Sequence, residues 1–431
     1  FDLGITGEAD RAFPELLLAL SEGRSPQEVG GVLRRANGAV VPTHAQRPFE
    51  RFDELPTPKY DEFYARGEAI GVLPKGGRIQ TGIPFESARG CWWGAKHHCT
   101  FCGLNGTTMK FRAKSPERVH EELAELVRRY RSYNLYAVDN IVDLSYFKTL
   151  FPRLVEEHAD YNIFYEVKSN LTRAQLKLLA NAGVRRIQPG IESLSSHVLA
   201  LMRKGVTGIQ NVNLLRWCRY YGISVGWATI WGFPGETQED AAYQAELFPK
   251  LVHLYPPGGV HRIWLERFSP LFFDQEKFPA EFRRAEPSYA YAYPVGVDFD
   301  KLAYFFDYAL HNAPLSEWYE PVRIAADAWK ERATQSEPPM LAYRWVPGLL
   351  QIVDTRRDGD PTSIHLEDEA IDIYLACSDE PRTLKRVCDL VGAHVDEGDV
   401  LGWLEEFCEQ GLMMREGEKF LSLAIPMSPG R

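Results

Sequence analysis

Three cysteines stand close together in the stretch CWWGAKHHCTFC: Cys91, Cys99 and Cys102. Thiolates are soft ligands that suit iron–sulfur clusters, zinc or copper(I). Iron–sulfur clusters usually take four cysteines, so three would leave one iron of a four-iron cluster free to bind a small molecule. The alternative is a structural zinc site in which His97 or His98 completes the ligand set. The spacing alone does not decide between them.

The residues around the cysteine loop indicate how it is positioned. Pro84–Gly90 is typical of a short strand ending in glycine, and strand and helix patterns alternate from there to Phe268. Further strands are predicted at Tyr136–Val138, Ile163–Val167, Arg186–Ile191, Ile223–Ile230 and Arg262–Phe268. Six strands separated by helices predict an α/β fold with a parallel sheet, here a partial (β/α)6 TIM-like barrel. In such a fold functional groups collect at the carboxyl ends of the strands.

Helices between these strands have clear signals. Pro116–Tyr130 places its apolar residues on one face, behind the cap Ser115. Thr172 and Gln175 have the spacing of a capping box that opens the next helix. Thr207–Tyr221 is predicted to be a third helix, with apolar residues on a common face.

Four regions are predicted along the chain. Residues 1–60 combine a strand end, an amphipathic helix and a proline-containing linker, and we expect them to be the end of a Rossmann-like domain that begins upstream. Residues 61–295 are predicted to form the barrel, and residues 296–345 a helical connector. Residues 346–431 predict a strand, three helices and a hairpin, which is the order of a winged-helix-like α+β module.

Composition and charge argue against several classes of protein. The 431 residues are 45% hydrophobic and 25% charged, and no apolar run approaches the roughly eighteen residues of a membrane span. Seven cysteines in a chain of this length do not predict a disulfide framework, and a reducing cytoplasm fits better. The net charge of −10 is concentrated in residues 346–431, which hold 18 acidic and 8 basic residues. This acidity argues against nucleic-acid binding and leaves room for a basic peptide partner.

The motifs resemble those of one superfamily. The cysteine loop is similar to that of the radical S-adenosylmethionine (radical SAM) superfamily, although the commonest spacing there has three residues between the first two cysteines and this chain has seven. Gln188–Ser193 and Ile230–Thr237 resemble the fourth- and fifth-strand motifs of its cobalamin-associated branch. CWWGAKHHCTFCGLNG and Arg267–Pro270 resemble the peptide maturases called RiPP maturation radical SAM protein 1, and the resemblance covers roughly residues 1–294.

The resemblance implies a concrete chemistry. Cys91, Cys99 and Cys102 would hold a [4Fe-4S] cluster whose open iron binds S-adenosylmethionine. One electron, from a reductant such as flavodoxin or ferredoxin, would release a radical that takes a hydrogen from the substrate. It also implies cobalamin, held mostly by residues upstream, and a ribosomally made precursor peptide that is methylated or loses a hydrogen at carbon. The alternatives are a radical SAM transferase acting on a small molecule and a zinc-stabilised, non-enzymatic peptide-binding protein.

Other side chains are assigned to cofactor binding by the resemblance or by their place at strand ends: Phe101, Asp139, Glu166, Lys168, Glu192, Ser193 and Thr229. Phe101 precedes the last cysteine, where the family places an aromatic ring beside the adenine. Asp139 is either a partner of the methionine amine or a helix cap. Glu166 and Lys168 either hold ribose hydroxyls and the carboxylate or are merely solvated. Glu192 is either a ligand or a structural ion-pair partner.

Some residues have competing structural explanations. Trp227 on the fifth strand either stacks on a ligand or packs in the core, which is the more frequent use of such a ring. The remaining cysteines stand singly and are predicted to be small core residues, not ligands of a second cluster: Cys218, Cys377, Cys388 and Cys408. The winged-helix-like module either holds a leader peptide along a strand edge, covers the barrel or mediates dimerisation.

Overall fold

The first unit along the chain is a small sheet with one helix packed on it. The computed structural model describes residues 2–74, 81–106, 108–357, 359–392 and 394–428. This unit and the helix that follows it comprise β1 (Leu3–Ile5), α1 (Ala9–Ser21), β2 (Val32–Ala36), β3 (Ala39–Pro42) and α2 (Asp61–Ala69). The strands are antiparallel in the order β1-β2-β3. Helix α1 buries Ala12, Leu16 and Ala19 against the sheet, while Phe13 and Leu17 on its other side are about half exposed.

The next region alternates strands and helices. Its strands are β4 (Ile83–Phe85), β5 (Ala88–Arg89), β6 (Arg112–Ala113), β7 (Asn134–Ala137), β8 (Asn162–Glu166), β9 (Val184–Gln188), β10 (Ser224–Val225), β11 (Thr229–Trp231), β12 (Val260–Arg262) and β13 (Leu265–Glu266). Its helices are α3 (Gly94–His97), α4 (Pro116–Tyr130), α5 (Leu150–Glu156), α6 (Arg173–Asn181), α7 (Ser196–Leu201), α8 (Gly208–Tyr221) and α9 (Gln238–Leu247).

A parallel sheet forms the wall of the barrel. Five strands pair in the order β10-β9-β8-β7-β4, all parallel, and β11 and β12 form a further parallel pair. A single bridge between Glu192 and Thr229 joins the two parts. The predicted α/β fold with a parallel sheet is therefore confirmed. Because the strands run the same way, their carboxyl ends meet at one rim.

The helix predictions are also confirmed. Helix α4 buries one apolar face, and the Oγ of Ser115 accepts a hydrogen bond from the Arg118 nitrogen at 3.2 Å. Thr172 and Gln175 form the expected capping box at α6. Helix α8 ends at Gly222, which has the left-handed backbone that glycine accepts without strain.

Two predicted strands are interrupted. The fifth, expected over Ile223–Ile230, is split into β10 and β11, and the sixth, expected over Arg262–Phe268, into β12 and β13. Gly226 lies in the first gap, and glycine inside a strand commonly marks such a bend. Trp227 beside it packs in the core, with its ring centroid 6.1 Å from that of Trp329, as the commoner use of the residue predicts.

A second, antiparallel sheet follows the barrel in the order β13-β15-β14. This region adds the elements α10 (Pro270–Phe273), β14 (Ala280–Ala285), α11 (Tyr289–Ala292), α12 (Phe299–Leu302), β15 (Phe305–Leu310) and α13 (Glu320–Ala333). The predicted helical connector over residues 296–345 contains helices α12 and α13 but also strand β15, which was not predicted. Every second residue of β15 is buried, namely Phe306, Tyr308 and Leu310, and this two-residue period is that of a strand.

The last region combines two small sheets with three helices. Its elements are β16 (Leu341–Val346), β17 (Leu349–Asp354), β18 (Thr362–Leu366), α14 (Asp368–Ala376), β19 (Arg382–Thr383), α15 (Leu384–Val391), α16 (Glu397–Glu409), β20 (Met413–Glu416), β21 (Lys419–Ser422) and β22 (Ile425–Pro426). The predicted strand, three helices and hairpin are all present. Buried Arg216 of α8 anchors this region to the barrel, because its guanidinium donates to the carbonyls of Leu423, Ala424 and Ser378.

Two further expectations concern buried residues and membranes. Cys218 and Cys377 are fully buried among apolar side chains, as predicted. Cys388 and Cys408 pack partly buried against the same core. None of the described helices is both long and apolar enough to cross a membrane.

Candidate functional site

The cysteine loop is held at the barrel rim by its two flanks. Strands β5 and β6 pair antiparallel on either side of it. Gly90, which has φ +80°, lies so close to the Lys110 carbonyl that no Cβ would fit there. At the other end, the nitrogen of Gly103 donates to Oε2 of Glu266 at 2.7 Å. The loop is thus fixed to strands β5 and β6 by its flanks and to β13 by the hydrogen bond from Gly103.

All three cysteine thiols face one cavity. This cavity measures about 240 Å³ and lies at the carboxyl ends of the parallel strands. Predicted cofactor residues from three separate parts of the chain also line it: Phe101, Glu166, Lys168 and Glu192. The structure therefore brings together the cysteines and four of the seven predicted residues.

The other three predicted residues lie outside the lining. Asp139 is buried, with its carboxylate accepting hydrogen bonds from the nitrogen and the Oγ of Ser87. Ser193 donates to Oε1 of Gln244 at 3.0 Å. Thr229 is buried at the bridge to Glu192. The expectation that these side chains contact a ligand in the cavity is not supported by their placement.

Three lining residues with polar or aromatic side chains that could act in the site were not among the predicted site residues. Asn140, next to Asp139, lines the cavity and donates to Oδ1 of Asn105 at 3.0 Å. Lys204 extends to within 3.4 Å of Oε1 of Glu192. Trp93, in the cysteine loop, also lines the cavity. Lys204 follows the Gln188–Ser193 motif at a distance of eleven residues and is followed by glycine, which was the available signal, whereas nothing in the sequence distinguishes Trp93 from Trp92.

The electrostatics of the cavity are dominated by burial. Burial raises the pKa of the Cys102 thiol to about 12 and also raises the pKa of Cys99, although the Lys204 and Lys168 ammonium groups oppose this for Cys99. Burial and the nearby charge of Lys204 lower the pKa of Lys168 to about 8. Burial, with the neighbouring Glu192 carboxylate, raises the pKa of Glu166. Thiolates at this site therefore need cationic partners.

Both histidines of the loop contact other residues of the same loop. His97 stacks on Trp93 with 4.0 Å between ring centroids, and Nε2 of His98 lies 2.9 Å from the Cys102 carbonyl oxygen. In the described part of the chain, no three His, Cys, Asp or Glu side chains surround a single-ion position. Among the residues that line the cavity, the sulfur donors are the thiols of Cys91, Cys99 and Cys102, and this set fits a four-iron cluster with one iron open.

A model of one protein family matches this region. The radical SAM superfamily model matches residues 85–247, from the strand before the cysteine loop to the end of α9. These residues are therefore similar to the radical SAM superfamily. The match covers the cysteine loop, Glu166, Lys168 and Glu192, all of which contribute to the cavity.

Curated proteins with sequences similar to part of this chain include a methyltransferase and a cyclase. An uncharacterized methyltransferase of Pyrococcus horikoshii is 27% identical over 257 residues, which is 58% of this chain and 53% of that protein. The anaerobic magnesium-protoporphyrin IX monomethyl ester cyclase of Synechocystis is 24% identical over 52% of this chain and 43% of its own length. The chain thus spans about half the length of the curated relatives that it matches.

The fold is shared with solved cobalamin-dependent radical SAM structures. The enzyme OxsB with aqua-cobalamin and S-adenosylmethionine bound gives a TM-score of 0.55 at 17% identity, over 77% of this chain and 51% of that chain. The methyltransferase TsrM of Kitasatospora setae, with cobalamin and a [4Fe-4S] cluster bound, gives 0.53 at 18% identity, over 77% of this chain and 68% of that chain. At these identities the likeness establishes the fold.

Proposed function

We propose that the protein is a radical SAM enzyme that modifies a carbon of a ribosomally made peptide, by methylation or hydrogen abstraction, with cobalamin as a further cofactor. The observation that carries this proposal is the convergence of three thiols and two lysine ammonium groups on one cavity at the ends of parallel strands. When bound, a [4Fe-4S] cluster and S-adenosylmethionine supply a reactive carbon radical.

The chain's own residues would bind and orient these groups. Cys91, Cys99 and Cys102 would hold the cluster, and the ammonium groups of Lys168 and Lys204 would offset its negative charge in a site of low polarity. Carboxylates at Glu166 and Glu192 would accept hydrogen bonds from ribose hydroxyls or an amine. The ring of Phe101 would flank the adenine and exclude water from that side.

A groove in the last region supports a peptide as substrate. Strand β18 lies at one end of the order β18-β17-β16-β22, and a cavity of about 460 Å³ lies between it and α16. Carboxylates line this cavity beside Trp403: Glu367, Asp368, Glu369 and Glu406. An extended peptide can add to such an edge by main-chain hydrogen bonds, and basic side chains would complement the carboxylates.

Cobalamin is supported by the relatives and by helix α1. OxsB is described as a cobalamin-dependent enzyme, and TsrM was solved with cobalamin bound. In this chain Phe13, Leu17 and Leu20 lie along one side of α1 and are each about half exposed. An apolar stripe of this kind marks a surface that packs on another part of a protein, and we propose that a cobalamin-binding unit covers it.

A small-molecule substrate is the second candidate. A separate cavity of about 720 Å³ lies beside the second sheet, and aromatic rings line much of it, including those of Trp264, Tyr289, Phe305 and Tyr308. Its size is in the range of small-ligand sites. This cavity would suit a planar, largely apolar molecule.

Anaerobic reconstitution with iron and sulfide tests the proposed chemistry. We expect about four irons per chain, and formation of 5′-deoxyadenosine from S-adenosylmethionine after reduction by flavodoxin or dithionite. Alanine at Cys91, Cys99 or Cys102 should abolish both, while Cys218→Ala, in the core, should retain both. One tightly bound zinc per chain and intact S-adenosylmethionine would contradict the proposal. Precursor peptides and small aromatic acceptors, offered in parallel, distinguish the two substrates.

A further inference from the structure

The seven-residue gap between Cys91 and Cys99 contains the short helix α3 and, just before it, Trp93. The indole Nε1 donates to the Arg203 carbonyl at 3.1 Å. One face of the ring stacks on His97. The gap therefore holds an aromatic ring, two residues after Cys91, that is fixed by a hydrogen bond and by stacking.

Segment 201–205, which begins at the last residue of α7, is hydrogen-bonded to the cysteine loop near both ends of the gap. The nitrogen of Thr100 donates to the Met202 carbonyl at 3.1 Å, and its Oγ1 to the Leu201 carbonyl at 3.2 Å. Gly205 has φ +63°, and a Cβ there would overlap the Trp93 ring. The ring thus fills the space between the loop and this segment.

Trp93 also contacts a charged residue of the cavity. The Nζ atom of Lys168 lies 3.7 Å from the centroid of the Trp93 ring and donates a hydrogen bond to the Lys204 carbonyl. A cation over an indole face is attracted by the negative face of the ring, most strongly in a desolvated site. The ring therefore restricts where the Lys168 ammonium can lie relative to the thiols.

We propose that Trp93 is a positioning residue, whose ring holds the Lys168 ammonium beside the cysteine loop so that this charge stabilises the reduced form of the cluster. The inference rests on the proposed function, because it requires the cluster. Reduction adds negative charge, so a fixed cation nearby favours the reduced form and makes the midpoint potential less negative. The longer cysteine loop would then have an electronic role as well as a structural one.

A double-mutant cycle on the reconstituted protein tests this inference. Midpoint potentials are measured by EPR-monitored redox titration for the wild type, Trp93→Leu, Lys168→Met and the double variant, with iron counted in each. We expect both single variants to shift to more negative potentials, and the double variant to match Lys168→Met alone, because Trp93 acts through Lys168. Trp93→Phe, which keeps a ring face, should restore most of the shift.

Trp92→Leu is the matched control. Its indole also donates to a backbone carbonyl, that of Val142 at 3.0 Å, but the lysine lies over the Trp93 ring, so this variant should keep the wild-type potential. An unchanged potential in Lys168→Met, or additive shifts in the double variant, would overturn the inference. If Trp93→Leu takes up no iron, the midpoint potential of Trp93→Phe tests the inference instead. A Trp93→Phe potential equal to that of Lys168→Met would overturn the inference. A wild type without a cluster would overturn the proposed function itself.

Discussion

The carboxylate of Glu416 caps the barrel helix α8 at Ile209, whose nitrogen donates to Oε2 at 3.1 Å. The other oxygen, Oε1, accepts a hydrogen bond from the Oγ of Ser196 at 2.6 Å. Ile209 lies in the first turn of α8 and Ser196 is the first residue of α7. The hairpin of β20 and β21 therefore supports the two helices that flank Lys204 and Gly205.

Replacing Glu416 by glutamine should weaken this contact. A negative charge at a helix amino terminus contributes about 1 kcal/mol, so we expect Glu416→Gln to lower the free energy of unfolding by about that amount. Glu418→Gln is the control, because Glu418 is exposed at the turn of the same hairpin. Urea denaturation measures both variants, and equal stability of the two would contradict the capping role.

His253 should make stability depend on pH. The residue is buried, with Nε2 facing the Leu423 carbonyl at 3.1 Å, and burial, followed by the charge of Arg356, lowers its pKa from 6.5 to about 3. The folded state therefore disfavours the proton that the unfolded state binds below pH 6.5. Stability is retained above that pH and lost as the pH falls toward 3, by about 1.4 kcal/mol per pH unit.

The variant His253→Gln tests this pH dependence. Glutamine offers a donor to the same carbonyl but does not titrate in this range. Denaturation curves at pH 7.5 and 5.5 should show a smaller loss of stability for the variant than for the wild type. Parallel losses in both proteins would assign the effect to other groups.

Gly205 and Gly222 provide a matched pair of substitutions. Both have left-handed backbones, with φ +63° and +68°, but a Cβ at Gly222 has open space while one at Gly205 would overlap the Trp93 ring. Gly222→Ala should cost about 1 kcal/mol from backbone strain alone. Gly205→Ala should cost more and should also lower iron uptake. Similar unfolding free energies for the two variants would show that the ring moves aside without cost.

Asp139 should matter for stability but not for ligand binding. Its buried carboxylate accepts two hydrogen bonds from Ser87, so Asp139→Asn, which replaces an acceptor by a donor, should destabilise the fold by about 2 kcal/mol. Asn140→Ala, at the neighbouring position that lines the cavity, should instead weaken S-adenosylmethionine binding by the reconstituted protein. Equilibrium binding and urea denaturation together separate the two effects. If Asp139→Asn weakened S-adenosylmethionine binding without loss of stability, Asp139 would have a role in ligand binding.

Local signals predicted much of the barrel. Apolar periodicity and capping residues located α4 and α6, and the cysteine spacing located the cavity. Asp139 hydrogen-bonds to Ser87, whereas Asn140, the next residue, lines the cavity, and local sequence patterns after the end of β7 do not determine which of two adjacent side chains faces it. Asn140 takes the place that Asp139 was expected to fill.

Local sequence patterns could not predict contacts between distant parts of the chain. Trp93 meets Arg203, Gly205 and Lys168 only because segment 201–205 folds over the cysteine loop. Strand β15 was missed for a similar reason: its antiparallel partners β13 and β14 come from the region assigned to the barrel. Both features depend on contacts between distant parts of the chain, which the intrinsic strand and helix propensities of the residues do not encode.

EPR spectra of the reduced protein, recorded with and without S-adenosylmethionine, show whether the three cysteines hold a cluster with an open iron. We expect a signal from a reduced four-iron cluster, held by Cys91, Cys99 and Cys102, that changes when S-adenosylmethionine binds to the open iron. A reconstituted protein with no such signal, or with a cluster spectrum that S-adenosylmethionine leaves unchanged, would contradict the proposed cluster with an open iron.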